Sequence, residues 1–305
     1  MSNKKLQLDP TVKKQLQTPT QITPFMDFRV DWAFKYILGH EEILLKLLND
    51  ILPIHVDEIQ YLPNEIPVLS DKEKRSMFDV ICTNKNTGER YLCEMQRYPD
   101  SDMDDRLIFY GCSLIQKQVK RGAKDYQLNP VYVVCIADYL RPHSENVPPD
   151  QFFFHYSLRE ESHPGELFSR KLQFFFLELP RLSKVWETAE TNAERWCYIF
   201  GNLSKFAEIP HDQSGFDSVF QVADTRELGD EQLKEYLNAM LTDYDKHVIG
   251  KYNREEGRAE GRAEGRAEIL RSLLASGMDV EELQARLQLT TEEIQAISPT
   301  APGRP

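Results

Sequence analysis

Apolar and polar residues alternate along this chain in two distinct periods. Asp31 opens the stretch Trp32-Ala-Phe-Lys-Tyr-Ile-Leu38, and Glu41 to Leu52 carries Ile43, Leu44, Leu47 and Leu48 at helical spacing. Two short helices separated by Gly39 are predicted. Val56 to Leu62 reads as a strand ended by Pro63-Asn64. Strands at Met77 to Thr83 and Arg90 to Gln96 follow, joined through Asn86-Thr87-Gly88. From Asp102 to Arg121 the helical period returns: Leu107, Ile108, Cys112, Ile115 and Val119 form one stripe, with Arg106, Tyr110, Lys117, Lys120 and Arg121 opposite. Val131 to Ala137 is a continuous apolar run, the pattern of a strand buried on both faces at the centre of a sheet. Strand-like segments at Gln151 to Leu158 and Leu172 to Leu179 precede helical patterns at Thr191 to Ala207 and Asp230 to Ile249. The order helix, three strands, helix, strand predicts a mixed α/β core.

Past Tyr252 the pattern changes. Glu256 to Glu268 repeats Glu-Gly-Arg-Ala three times, placing Gly257, Gly261 and Gly265 four apart. On a helix, like charges would then stack at i and i+4 and repel. The segment suits either a glycine stripe that lets another chain's helix approach, giving a homo-oligomer through the C-terminal helical region, or a linker lengthened by duplication. Three small helices after it resemble a helix-turn-helix, but Glu292 and Glu293 stand where DNA phosphates would favour Lys or Arg. A protein-contact module is the expectation.

Charge narrows the function. The 305 residues carry a formal net charge of -12, which argues against nonspecific polyanion binding by the whole surface. Between Asp71 and Lys124, however, 11 basic residues meet 9 acidic ones, so basic charge is modestly concentrated there. No apolar run approaches the roughly 18 to 20 residues of a membrane span, and residues 1–24 lack the hydrophobic middle of a secretory signal. Cys82, Cys93, Cys112, Cys135 and Cys197 show no paired spacing, which disfavours disulfides and structural zinc and fits a cytoplasmic location. Phosphate-loop, dinucleotide, nucleophile-elbow and HExxH signatures are missing from the chain, and the seven histidines do not cluster.

The hairpin carries the candidate chemistry. Pairing that is symmetric about the midpoint of Asn86 and Thr87 sets Asp79 opposite Glu94. Phe78, Val80, Cys82, Tyr91, Cys93 and Met95 then share an apolar face, while Asp79, Glu94 and Gln96 share the other. Directly opposed like charges destabilise a sheet, and a divalent cation would offset that cost. Mg²⁺ takes oxygen ligands, needs only one or two carboxylates, and leaves room for water and phosphate. The same pattern also suits two solvated acids on an exposed sheet face, or a shifted register.

Asp31 with Phe34-Lys35, Phe78-Asp79-Val80, Glu94-Met-Gln96, the helix bearing Arg106 and Tyr110, and the segment Tyr126 to Ile136 together resemble the Rpn-type recombination-promoting nucleases and putative transposases, in the PD-(D/E)XK nuclease superfamily. The similarity covers about Phe25 to Arg181. It implies an α/β fold: a restriction-endonuclease-like core with a mixed central sheet flanked by helices, and a helical C-terminal extension. It also implies Mg²⁺-dependent DNA cleavage, with Mn²⁺ as a substitute, linked to recombination or to defence against mobile elements. By position, Asp79 is the motif aspartate and Glu94 the motif acid, the two metal ligands. Gln96 stands where the superfamily pattern has Lys; it can orient a water but brings no positive charge. Asp31 and Lys35 are accessory candidates, Lys35 as a cation or as one half of an exposed i, i+4 pair.

Candidate DNA contacts are Arg97, Arg106, Tyr110 and Lys117, with Lys72, Lys74 and Arg75 nearby; a solvated helix face, or packing in the case of Tyr110, is the plain alternative for each. The expected organisation is a tail (1–24), a nuclease-like core (25–181), a helical extension (182–250), the repeat segment (251–268) and a small helical module (269–305). The expected function is a metal-dependent DNA endonuclease. The alternative is a non-cleaving protein-interaction or regulatory module on a nuclease-derived core.

Overall fold

The computed structural model describes residues 23–63, 65–66, 76–77, 79–119, 125–210 and 215–242. The expected N-terminal tail up to residue 22, Lys72, Lys74, Arg75, Phe78, Lys120 and Arg121 lie outside them, as do the repeat segment and the C-terminal module with its oligomer contact.

Helix α1 (Asp31–Leu38) has Asp31 in its first turn and Lys35 in its last, each opposing the dipole charge at its end. It buries Ala33, Phe34, Ile37 and Leu38, and α2 (Glu41–Ile51) buries Ile43, Leu44, Leu47, Leu48 and Ile51. Strands β1 (Ile59–Tyr61), β4 (Val80–Asn84), β5 (Arg90–Gln96), β6 (Val131–Ala137), β7 (Phe153–Arg159) and β8 (Leu167–Glu178) form a six-stranded sheet ordered β1-β4-β5-β6-β8-β7. Pairs β5/β6 and β6/β8 are parallel and the rest antiparallel, a mixed sheet. The single strand expected from Met77 to Thr83 is divided: β2 (Glu65–Ile66) and β3 (Ser76–Met77) make their own two-stranded ribbon, and β4 starts at Val80.

The β4–β5 hairpin turns at Gly88, whose φ of 71° is a left-handed conformation that favours glycine. Its register pairs Val80 with Cys93, Ile81 with Leu92 and Cys82 with Tyr91, symmetric about the midpoint of Asn86 and Thr87. All seven residues of β6 are buried, as its unbroken apolar run requires.

Two cores sandwich this sheet. On one side Val80, Cys82, Tyr91 and Cys93 pack with α1, α2, α4 (Asn192–Asn202) and α5 (Asp217–Ala223). On the other, Ile81 and Leu92 pack under α3 (Met103–Gln116). The face shared by Asp79 and Glu94 is therefore not simply polar, as the alternation suggested; it is apolar core with the acids at one end. After Arg181, Trp186, Trp196, Phe200, Phe216 and Phe220 join the cluster that holds Phe28 and Phe34, and Phe28 and Phe200 pack edge-on at 4.7 Å.

The inward face of α3 differs from the expected stripe. It consists of Met103, Leu107, Tyr110, Gly111 and Leu114, whereas Ile108 and Cys112 are exposed. Gly111 explains the rotation: a Cβ there would come within 2.7 Å of Leu172 Cδ1, so the helix sits closest to the sheet where no side chain announces it. Among the described residues no helix is long and apolar enough to cross a membrane.

Candidate active site

Asp79 stands one residue before β4 and Glu94 on β5, at the open end of the hairpin. Because β4 stops short of Asp79, the pair is joined by side chains. The Asp79 amide donates to Glu94 Oε1 at 3.3 Å, and the Met95 amide donates to Asp79 Oδ2 at 3.0 Å. Each carboxylate is thus fixed by a backbone N–H at the strand ends.

The electrostatics of this pair are unfavourable to two charges. Glu94 is only 3% exposed. Burial, and then the charge of Asp79, push its pKa well above the usual carboxylate range. Burial also raises Asp79, against the opposing influence of the Met95 amide and Lys35. Lys35 reaches in from α1, with Nζ 2.7 Å from Asp31 Oδ1 and 3.4 Å from Asp79 Oδ1. Burial works against its charge, but the two carboxylates outweigh that and hold its pKa above the ordinary lysine value. Lys35 is therefore both members of the expected choice at once: it pairs with Asp31 and supplies a cation to the acids.

The remaining candidates divide. Gln96 follows on the same strand face, half-buried, and its Nε2 donates to the Tyr98 carbonyl at 3.0 Å. Arg106 lies on α3 near enough to favour the charge of Glu94, and pairs with Asp100 at 2.8 Å. Arg97 is drawn towards Asp27 at 4.0 Å, in a cluster where Arg29 bridges Asp27 at 2.8 Å and Asp138 at 3.1 Å. One placement is corrected. Tyr110 is buried in the core under α3, because it follows Leu107 by one turn on the inward face, so its ring is not presented to a substrate. Lys117 is exposed at the C-cap of α3 beside Arg90, about 13 Å along β5 from Glu94 at the usual rise per residue.

Asp27, Arg29 and Asp138 were not singled out by the sequence. Asp138 directly follows β6, and its amide donates to the Gln96 carbonyl at 2.9 Å. An acid ending an otherwise apolar central strand was the available signal. Among the described residues, no group of three or more His, Cys, Asp or Glu converges to hold an ion.

A family model described as PD-(D/E)XK nuclease family transposase matches residues 28–252, well over half of the chain and both acids with it. The chain belongs to this family. The sheet and helices described above are its restriction-endonuclease-like α/β core, and the PD-(D/E)XK membership makes the protein nuclease-like. Neither the curated proteins nor the solved structures compared with the chain yield a match.

Proposed function

We propose that the protein is a Mg²⁺-dependent endodeoxyribonuclease, with Mn²⁺ as a substitute, that hydrolyses DNA phosphodiester bonds in the cytoplasm during recombination, transposition or defence against mobile elements. The observation that carries this reading is the reciprocal Asp79 and Glu94 pair, half-buried and buried respectively, fixed by backbone amides and raised in pKa. Two opposed acids kept at this cost within a nuclease family are best explained by the cation they bind.

The donor set fits Mg²⁺. Both ligands are carboxylate oxygens, and Mg²⁺ needs only one or two of these beside water and phosphate, whereas zinc would want three or four protein ligands rich in nitrogen or sulfur. Asp79 and Glu94 would hold the ion. Bound there, it would polarise the scissile phosphate and lower the pKa of a water. In its absence, burial and mutual repulsion favour a proton on the carboxylate pair. Lys35 supplies positive charge beside Asp79, the charge that Gln96 does not bring. The Gln96 amide, steadied through Nε2 on the Tyr98 carbonyl, leaves Oε1 to accept a hydrogen bond from the attacking water. Arg106, near enough to favour the charge of Glu94, and Arg97, one residue past Gln96 on the Asp27 side, are the groups for neighbouring phosphates.

Supercoiled plasmid tests the proposal, with Mg²⁺ or Mn²⁺ and purified protein beside Asp79→Ala and Glu94→Ala. The parent nicks DNA and both variants lose the activity. Equal nicking by all three would indicate a contaminant and refute the assignment. No cleavage by the parent, together with no Mg²⁺ binding by calorimetry, would leave the non-cleaving interaction module.

A further inference from the structure

Two strands across from Glu94, under the outer edge of α3, lies an open pocket of about 270 Å³. That is just below the roughly 300–1,000 Å³ of pockets that take drug-sized ligands, and suits a single ring system. Phe174 and Phe176 of β8 and Tyr156 of β7 supply aromatic walls, Ile108 of α3 closes one side, and Arg141 and Asp104 furnish polar groups. Tyr156 meets Phe176 edge-on at 5.7 Å, and the Arg141 guanidinium lies 3.9 Å over the Phe176 ring. Arg141 is held there by Asp104 at 2.8 Å, with the fully buried Glu178 behind it at 3.9 Å. A planar cation, aromatic faces and an aliphatic edge form a stacking platform. Tyr156 and Ile108 remain 42% and 51% exposed, so its apolar surface is open to a ligand.

The position of this platform points to its occupant. Glu94 pairs across the sheet with Cys135, and Cys135 with Phe176, so one row of the sheet runs from the acid to the pocket. Two interstrand steps amount to about 10 Å. Cys135 feels the charges of both Glu94 and Arg141, in keeping with its place between them. A stacked strand advances about 3.4 Å per nucleotide, so the pocket lies within about three nucleotides of a phosphate at the acids.

We propose that this pocket receives an unpaired nucleobase of the substrate strand, within about three nucleotides of the scissile phosphate. The inference rests on the nuclease reading above. A base offers a π-face to rings and guanidinium irrespective of its identity. It can come from single-stranded DNA or be turned out of a duplex.

The test is an abasic scan. Cut positions are first mapped with Mg²⁺ on short oligonucleotides, single-stranded and duplex. Binding of the full-length protein is then measured by fluorescence anisotropy in Ca²⁺, with one abasic residue stepped along the strand. An abasic residue at one position within about three nucleotides of the cut should weaken binding about tenfold, within the range of base–aromatic stacking. Tyr156→Ala should bind intact DNA about tenfold more weakly and show no further loss at that position. Ile108→Ser repeats the test should Tyr156→Ala unfold, and Phe168→Ala, at a residue 83% exposed and outside the pocket, should behave as the parent. An effect in the single-stranded arm alone identifies an already unpaired strand; an effect in both arms identifies a base turned out of the duplex. A flat scan with Mg²⁺-dependent cutting intact would overturn the pocket alone, as would Tyr156→Ala retaining the parent's position dependence. Failure of the parent to bind or cut any DNA would overturn the pocket and the nuclease reading together.

Discussion

Replacing Lys35 by Met removes the cation beside Asp79 while keeping an unbranched apolar stem of comparable length. At 3.4 Å and an effective dielectric of about 20, the charge pair is worth about 5 kcal/mol before solvation is counted. The Lys35 side chain is 34% exposed and that of Asp79 17%, so water screens much of this, and a net loss of about 1–2 kcal/mol is expected at pH 8. The loss must depend on pH in a particular direction. Burial raises Asp79 and Glu94 above their ordinary values of 3.8 and 4.5, so the stability these acids contribute is full below those values and declines as pH rises through the folded-state pKa values. Lys35 limits that decline, because it acts only on the ionised carboxylate. Its own pKa is raised, so it stays charged throughout the range. Urea unfolding in EDTA should therefore show a Lys35→Met penalty that is largest at pH 8 and shrinks towards pH 5. Asp31→Asn, which alters an acid that is 67% exposed, should cost less than about 0.5 kcal/mol at either pH. A Lys35→Met penalty equal at both pH values, or reproduced by Asp31→Asn, would refute a role for Lys35 in compensating the buried acids.

Three further outcomes follow from the buried carboxylates Glu94 and Glu178. Glu94→Gln keeps an oxygen acceptor for the Asp79 amide and removes the repulsion, so the metal-free variant should melt higher than the parent at pH 8 and its melting temperature should not respond to Mg²⁺; differential scanning calorimetry with and without EDTA reads both. Mg²⁺ should bind more tightly at pH 8 than at pH 6 with net proton release, seen as a heat that depends on the buffer's ionisation enthalpy, because the raised carboxylates must lose a proton first; equal affinity at both would contradict the raised pKa values. Glu178→Gln leaves Arg141, Arg181 and His143 around a neutral amide where Glu178 takes contacts at 2.6 Å from His143 and 2.9 Å from Arg181, and should lower the urea-derived stability by about 3 kcal/mol; a loss below about 1 kcal/mol would mean that the carboxylate does not anchor this corner.

Much of the frame was legible because it is local. The helix from Asp31 to Leu38 and the strands Arg90 to Gln96 and Val131 to Ala137 have the bounds their periodicity predicted. The hairpin register followed from the position of its turn, since strand alternation leaves little freedom once the loop is set, and with it came the opposition of Asp79 and Glu94. What needed the folded chain was every choice between faces and every meeting of distant segments. Both arcs of α3 hold apolar residues, and the sheet selected the one with Gly111, where closeness of approach outweighs side-chain area. Likewise Lys35 reaches Asp79, Arg141 lies over Phe176, and the aromatic residues after Arg181 complete the core of α1 and α2 only because tertiary packing brings them together. Periodicity tells a side chain which way to point along its own element; it carries no information about which surface will arrive to meet it.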